Sequence, residues 1–195
     1  MDPKLANLLA ELEKFGEEND RRESARNRRM MNITRATGEF LALLIRTMRA
    51  TRVLEIGTSN GYSTTWFAYA IQPLNGKITT FEILPEKFAM ARTNFERAGF
   101  LSLIDMRLGD AGDWLRTASP SSFDMIFLDS TRQQYLGWWQ DIQRVLRVGG
   151  LLVVDNAVSH ENELKDFVAL VNATPSFITS LVPVGNGEFM ALKEK

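Results

Sequence analysis

The feature that most restricts this chain is a regular alternation, beginning after Arg52, of short apolar runs with amphipathic helical stretches. Val53 to Ile56, Ile78 to Ile83, Ile104 to Leu108, Phe123 to Leu128 and Leu151 to Val154 read as strands. Between them lie helical patterns at Tyr62 to Ile71, at Pro85 to Ala98, around Trp114 and Leu115, and from Arg132 to Arg147. Phe123 to Leu128 is almost continuously apolar, as a strand covered by helices on both faces must be. A further helix spans Glu161 to Asn172. Then Phe177 to Val184 and Glu188 to Leu192 flank Gly185-Asn186-Gly187, which reads as a hairpin turn. Strands alternating with helices form a parallel sheet with right-handed crossovers, and the hairpin turns the last strand antiparallel. The expected fold is α/β: a doubly wound, Rossmann-like, seven-stranded sheet, mostly parallel, with an antiparallel C-terminal hairpin strand.

Ahead of this core, Leu5, Leu8, Leu9, Leu12 and Phe15 recur at helical spacing behind a capping Asp2 and a first-turn Pro3. Glu17 to Arg29 is polar and holds Arg21, Arg22, Arg26, Arg28 and Arg29; it reads as a solvated linker or helix face, or as a phosphate-contacting arm. A second amphipathic helix runs from Thr37 to Met48. The 195 residues suit one domain with an appendage: a helical extension or lid over 1–36 and the main domain over 37–195.

Composition removes several classes of function. The 23 basic and 24 acidic side chains nearly cancel, so no dominant field draws the chain to nucleic acid or a membrane surface. With no cysteine there is no disulfide scaffold, thiolate zinc site or cysteine nucleophile, and one histidine excludes a multi-histidine metal site. No apolar run approaches the roughly 20 residues that span a bilayer, and the polar start is unlike a signal peptide. A soluble, cytoplasmic protein is expected.

In doubly wound sheets ligands bind beyond the carboxyl ends of the strands. The first strand ends in Glu55-Ile56-Gly57-Thr58-Ser59-Asn60-Gly61-Tyr62-Ser63, where Thr58, Ser59 and Asn60 fill a loop that a dinucleotide fingerprint keeps open for a pyrophosphate. Glu55 brings a carboxylate that would repel a diphosphate. A ligand with a cationic amino group and no phosphate suits this turn better, and S-adenosylmethionine is such a ligand. Glu82, ending the second strand, can accept ribose hydroxyls, although nicotinamide cofactors would use the same acid. Asp110-Ala111 follows the third strand, where an adenine amino group can be read, or where Gly-Asp simply turns the chain. The fourth and fifth strands end in Asp129 and in Asp155-Asn156. Two carboxylates and an amide oxygen form a hard set suited to Mg²⁺, Mn²⁺ or Ca²⁺; each acid alone would serve equally as a helix or turn cap.

Taken in order, Val53-Leu54-Glu55-Ile56-Gly57 through Gly61-Tyr62-Ser63, Phe123-Asp124 through Asp129, and Gly149-Gly150 through Asp155-Asn156 resemble the cation-dependent O-methyltransferases of the catechol and caffeoyl-CoA type. The resemblance extends over Thr34 to Lys193. It implies that Glu55, Gly57, Gly61, Tyr62 and Ser63 surround the methionine end of S-adenosylmethionine, Glu82 its ribose, and Asp110 and Ala111 its adenine. It further implies that Asp129, Asp155 and Asn156 hold a divalent cation, Mg²⁺ first among candidates, which grips vicinal oxygens of a small hydroxylated acceptor. Asp129 also closes the cofactor site, Asp129 and Arg132 act in catalysis, and a homodimer is implied.

Three departures stand out. Arg132 replaces the family's lysine and cannot give up its proton, so it can steady an anion but not act as a base. Thr131 replaces a second acid, and Ala157-Val158-Ser159-His160 replaces the aromatic after Asp-Asn. His160 reads as a surface or cap residue, and one of Trp138 and Trp139 as core. Met30 and Met31 stand where a lid would lie. Two other readings are a methyltransferase for a hydroxylated wobble uridine of tRNA, using the arginine cluster, and a S-adenosylmethionine-binding protein with a non-functional metal site.

Overall fold

The computed structural model describes all 195 residues. Helices α1 (Pro3–Arg22) and α2 (Arg35–Met48) lead into β1 (Arg52–Ile56), α3 (Tyr62–Ile71), β2 (Lys77–Glu82), α4 (Pro85–Ala98) and β3 (Ile104–Leu108). There follow α5 (Ala111–Thr117), β4 (Phe123–Leu128), α6 (Tyr135–Val145), β5 (Leu146–Val154), α7 (Glu161–Asn172), β6 (Phe177–Val182) and β7 (Glu188–Lys193). The strands form one seven-stranded sheet in the order β3-β2-β1-β4-β5-β7-β6. β7 runs antiparallel to both β5 and β6, and the other pairs are parallel. No helix is long and apolar enough to cross a membrane.

Alternation along the strands sorts side chains between two layers. Val53, Met125, Phe127, Leu151 and Val153 face a cluster that takes in α2, α3, α4 and the α1 leucines Leu5, Leu8, Leu9 and Leu12. Leu54, Ile56, Ile126, Leu128, Leu152 and Val154 face the second cluster, closed by Leu115, Trp139, Ile142, Leu164 and Phe167. The N-terminal helix therefore shares the main core. It runs on to Arg22, so half of the polar stretch is helix, and Phe15 is 43% exposed while Gly16 is buried against Asn32.

One element differs from the expected helix over Arg132 to Arg147. Arg132–Gln134 form a 3₁₀ turn, α6 starts at Tyr135, and the chain is extended from Leu146 onward. Leu146 already pairs with Phe123, and an irregularity before the Met125 pair absorbs the extra residues. Arg147 is drawn into this strand by Asp124, whose Oδ1 accepts from its Nε at 2.7 Å.

Two buried acids of the sheet have opposite proton affinities. Asp124 accepts the backbone N–H groups of Thr51 and Arg52 at 2.8 Å each, together with the guanidinium groups of Arg52 and Arg147. Burial opposes ionisation of Asp124, but these donors outweigh it and bring its pKa down from 3.8 to about 2. Glu55 is fully buried; burial raises its pKa from 4.5 to about 7, although the hydroxyls of Ser63, Thr64 and Thr80 all donate to it. Ionised Asp124 therefore contributes stability that is complete above pH 3.8 and lost as the pH falls toward 2. Asp124→Asn should cost about 2 kcal/mol at neutral pH in urea denaturation, with the gap to the parent closing below pH 4. Glu55 works the other way: its folded form holds the proton more tightly, so its contribution falls as the pH rises from 4.5 to about 7. Glu55→Gln should gain on the parent, by up to roughly 3 kcal/mol, across that window in the same assay.

Candidate functional site

The carboxyl ends of β1, β4 and β5 lie level, with Ile56 opposite Leu128 and Leu128 opposite Val154. The ladder continues one residue further: Asp129 N donates to Ile56 O at 3.0 Å and Asp155 N to Leu128 O at 3.1 Å. Gly57, Asp129 and Asp155 thus stand side by side at one edge of the sheet. Gly57 has φ +114°, and a Cβ there would lie 2.0 Å from the Asp129 carbonyl oxygen, so no other residue fits. On the far side of β1, Gly109 N donates to Glu82 O at 2.8 Å and brings Asp110 to the same edge. These ends line one cavity of about 780 Å³, within the range of small-molecule sites.

At one end stand Glu82, Asp110 and Ala111, with Phe81, Ile83 and Trp138 as apolar wall. Glu82 Oε1 accepts from Ile83 N and Leu84 N, and Oε2 accepts from Ser59 N at 2.8 Å. Three amides fix this carboxylate, and one lone-pair site on Oε2 is left to receive a further donor. Asp110 caps α5 through Gly112 N at 2.6 Å, while its other oxygen accepts Gln134 Nε2 at 2.9 Å.

Met30 and Met31 lie over this space. Asp20 accepts their backbone N–H groups at 2.6 and 2.7 Å, Ser59 Oγ donates to Met30 O at 2.7 Å, and Lys87 Nζ donates to Arg29 O at 2.6 Å. Lys87 is 7% exposed and lines the cavity; burial lowers its pKa against the opposing pull of Glu82, Asp20 and Asp129. The sequence gives no signal for Asp20, Ser59 or Lys87, because their roles depend on contacts between distant segments.

At the other end Asn156, in a left-handed turn at φ +65°, places Nδ2 3.4 Å from Asp129 Oδ1 and 2.5 Å from Asp155 Oδ2. Burial, then repulsion from Asp155, holds the Asp129 carboxyl well above the ordinary aspartate range, with Arg132 pulling it back; burial likewise raises Asp155. Glu188, the first residue of β7, is fully buried against them and pushed up to about 10 by burial and by the Asp155 charge. Sequence reading missed it, since one polar residue starting a hairpin strand looks like a solvent-facing position.

The chemistry of this donor set fits a hard divalent cation. Two adjacent buried carboxylates repel one another unless a positive charge compensates them, and turning the Asn156 amide by half a turn presents its oxygen in place of its nitrogen. The set comprises two acids and an amide; no three His, Cys, Asp or Glu side chains of the chain are arranged to hold a metal together. Beyond it lie Arg132 and His160. Arg132 is 7% exposed and reaches Glu163 Oε2 only at 3.6 Å, and His160 Nδ1 meets Ser159 Oγ at 2.9 Å. The loop carrying Asn156 is held from outside by the C-terminal hairpin: Ala157 N donates to Gly187 O at 2.7 Å, and Val158 N and Ser159 N to Asn186 O at 3.1 Å.

Some expected residues are elsewhere. Glu55 does not face the cavity. It points from β1 into the helical layer, where the Ser63, Thr64 and Thr80 hydroxyls enclose it, rather than into the cavity that the glycine-turn reading expected it to line. Ser63 accordingly turns its hydroxyl to Glu55. Tyr62 is 1% exposed, and Gly61 packs on Phe95 while starting α3. Gly57, Tyr62, Ser63 and Asp129 do share a recess of about 10 Å³ closed by Met31 to Ile33. Trp138 lines the main cavity, and Trp139 packs on Phe167 and Phe177.

Residues 5–193 match the O-methyltransferase family. A catechol O-methyltransferase of Mycobacterium tuberculosis is 38% identical over 121 residues, 62% of this chain and 54% of that protein, so the match spans about half the length of that relative. Caffeoyl-CoA O-methyltransferase 1 of Eucalyptus globulus is 28% identical over 180 residues, 81% of this chain and 73% of the relative. Among solved structures, an O-methyltransferase from Bacillus cereus in complex with SAH superposes with a TM-score of 0.80 at 25% identity, covering 100% of this chain and 92% of that one. With the match running through nearly every residue from α1 to β7, the chain belongs to the O-methyltransferase family.

Proposed function

We propose that this chain is an S-adenosylmethionine-dependent O-methyltransferase that methylates a hydroxyl of a small acceptor with vicinal oxygens, assisted by a divalent cation. The observation that carries the reading is that Glu82 and Asp110 share one cavity with Asp129, Asp155 and Asn156. A nucleoside held by the first pair would share that space with the second group. The Bacillus cereus neighbour, described with SAH, supports the cofactor, and the catechol and caffeoyl-CoA relatives support the acceptor class.

Glu82 takes a ribose hydroxyl on the open site of Oε2, and the Asp110-Ala111 loop receives the adenine edge. Asp129, beside the Gly57 turn, attracts the ammonium of the methionine end. S-adenosylmethionine supplies an electrophilic methyl group. Asp129, Asp155 and Asn156 would hold a divalent cation, which when bound would supply Lewis acidity toward the acceptor hydroxyl. Arg132 keeps its own proton and so stabilises negative charge. The Met30-Met31 lid, tied down by Asp20, Ser59 and Lys87, keeps water from the transfer path. Much of the acceleration then comes from holding the two reactants in line. The reading also takes the enzyme as a cytoplasmic homodimer, the homodimer being what the family resemblance implies.

Calorimetry with S-adenosylhomocysteine and methyl-transfer assays on catechol with and without EDTA test this function. Glu82→Ala should weaken the cofactor product by about tenfold or more, from the loss of a buried charge-assisted bond. Asp155→Ala should leave that affinity within about threefold while removing metal-dependent turnover. Equal turnover in chelator would take the cation out of the mechanism.

A further inference from the structure

The acceptor end of the cavity contains a cation whose hydrogen-bonding capacity is unused. Arg132 projects from the 3₁₀ turn after β4, and its side chain is 6% exposed. Burying a guanidinium is costly unless its five N–H groups find acceptors. Arg144 and Arg147, about one-third exposed, both find acceptors within the chain: Arg144 reaches Ala118 O, Leu115 O and Asp141, and Arg147 reaches Asp124 and Val148 O. The more deeply buried Arg132 makes only the 3.6 Å ion pair with Glu163, too long for a hydrogen bond, and Glu163 lies outside the cavity wall. Asp129 and Asp155 are the other charges near it, and both face the proposed cation. His160 also lines the wall.

Resting on the methyltransferase reading above, we infer that the acceptor carries a carboxylate beside its accepting hydroxyl, and that Arg132 receives this carboxylate and so determines specificity. The planar guanidinium fork matches a carboxylate with two parallel bonds, whereas a neutral hydroxyl would occupy only one N–H. Because Arg132 keeps its proton, it pairs most strongly with a group that is anionic at neutral pH without help from the cation, as a carboxylate is and a catechol hydroxyl is not. The substrate class is therefore an ortho-hydroxycarboxylate, aromatic in keeping with the catechol named for the similar Mycobacterium tuberculosis enzyme.

The test uses the full chain loaded with S-adenosylhomocysteine and Mg²⁺, titrated with catechol, pyrocatechuate (carboxylate adjacent to the hydroxyls) and protocatechuate (carboxylate across the ring). Pyrocatechuate should bind about tenfold or more tightly than either of the others, and Arg132→Gln should abolish that preference by weakening pyrocatechuate about tenfold more than it weakens catechol. Arg132→Lys should retain part of the preference through charge alone. Melting temperature and cofactor-product affinity are followed for each variant; should the Gln variant not fold, the ranking in the parent and the Lys variant decides. Equal affinities for pyrocatechuate and catechol, or a loss in Arg132→Gln shared by all three compounds, would overturn the inference. Failure of the parent to bind S-adenosylhomocysteine would overturn the methyltransferase reading beneath it, whereas cofactor binding and catechol turnover without the carboxylate preference would sink this inference alone.

Discussion

The approach of the Gly57 backbone to the Asp129 carbonyl sets the geometry of everything at the carboxyl edge of the sheet. With no Cβ at Gly57, β1 and β4 remain paired right up to their ends, and the chain leaves β1 at φ +114° into the turn that starts α3. A larger residue would push the Asp129 loop outward. That displacement would separate Asp129 from Asp155 and pull Ser59, which holds Glu82, away from its acid. Both halves of the cavity thus depend on one van der Waals contact between main chains.

The two edges of the sheet treat carboxylates in opposite ways. At the amino edge, Asp124 is surrounded by backbone donors and two arginines, and it serves only to fasten β1, β4 and β5 together. At the carboxyl edge, Asp129, Asp155 and Glu188 are gathered with far fewer donors, and Arg132, Lys87 and His160 offset the effect of their burial only in part. Such an arrangement is poor for stability and good for binding, because an added cation gains what the protein has not already satisfied.

Much of this was legible in the sequence. The alternation of apolar runs and helices located every strand, and the Gly185-Asn186-Gly187 turn correctly gave an antiparallel last pair, because period and turn chemistry are local properties. Strand ends that lie level in the sheet bring Asp129 and Asp155 together, and that much follows from topology. Glu55 did not follow. Its position at a strand end suggested a ligand contact, but alternation points it into the helical layer, where hydroxyls from α3 and β2 enclose it. The end of α6 was misplaced for a related reason: Arg147 pairs with an aspartate on another strand, and no local pattern reports that pairing. Glu188 and the depth of Arg132 likewise depend on which segments pack above them.

The hairpin β6-β7 has a role beyond completing the sheet. Its turn holds the backbone of Ala157, Val158 and Ser159, and its first residue on β7, Glu188, lies behind Asp155. The last twenty or so residues thus form a cradle for the proposed acceptor end, while the proposed cofactor end draws on the ends of β1 to β4, Trp138 of α6 and the Met30-Met31 segment, none of it from the tail. Selection can therefore reshape what such an enzyme methylates by remodelling its tail, leaving untouched the machinery that delivers the methyl group.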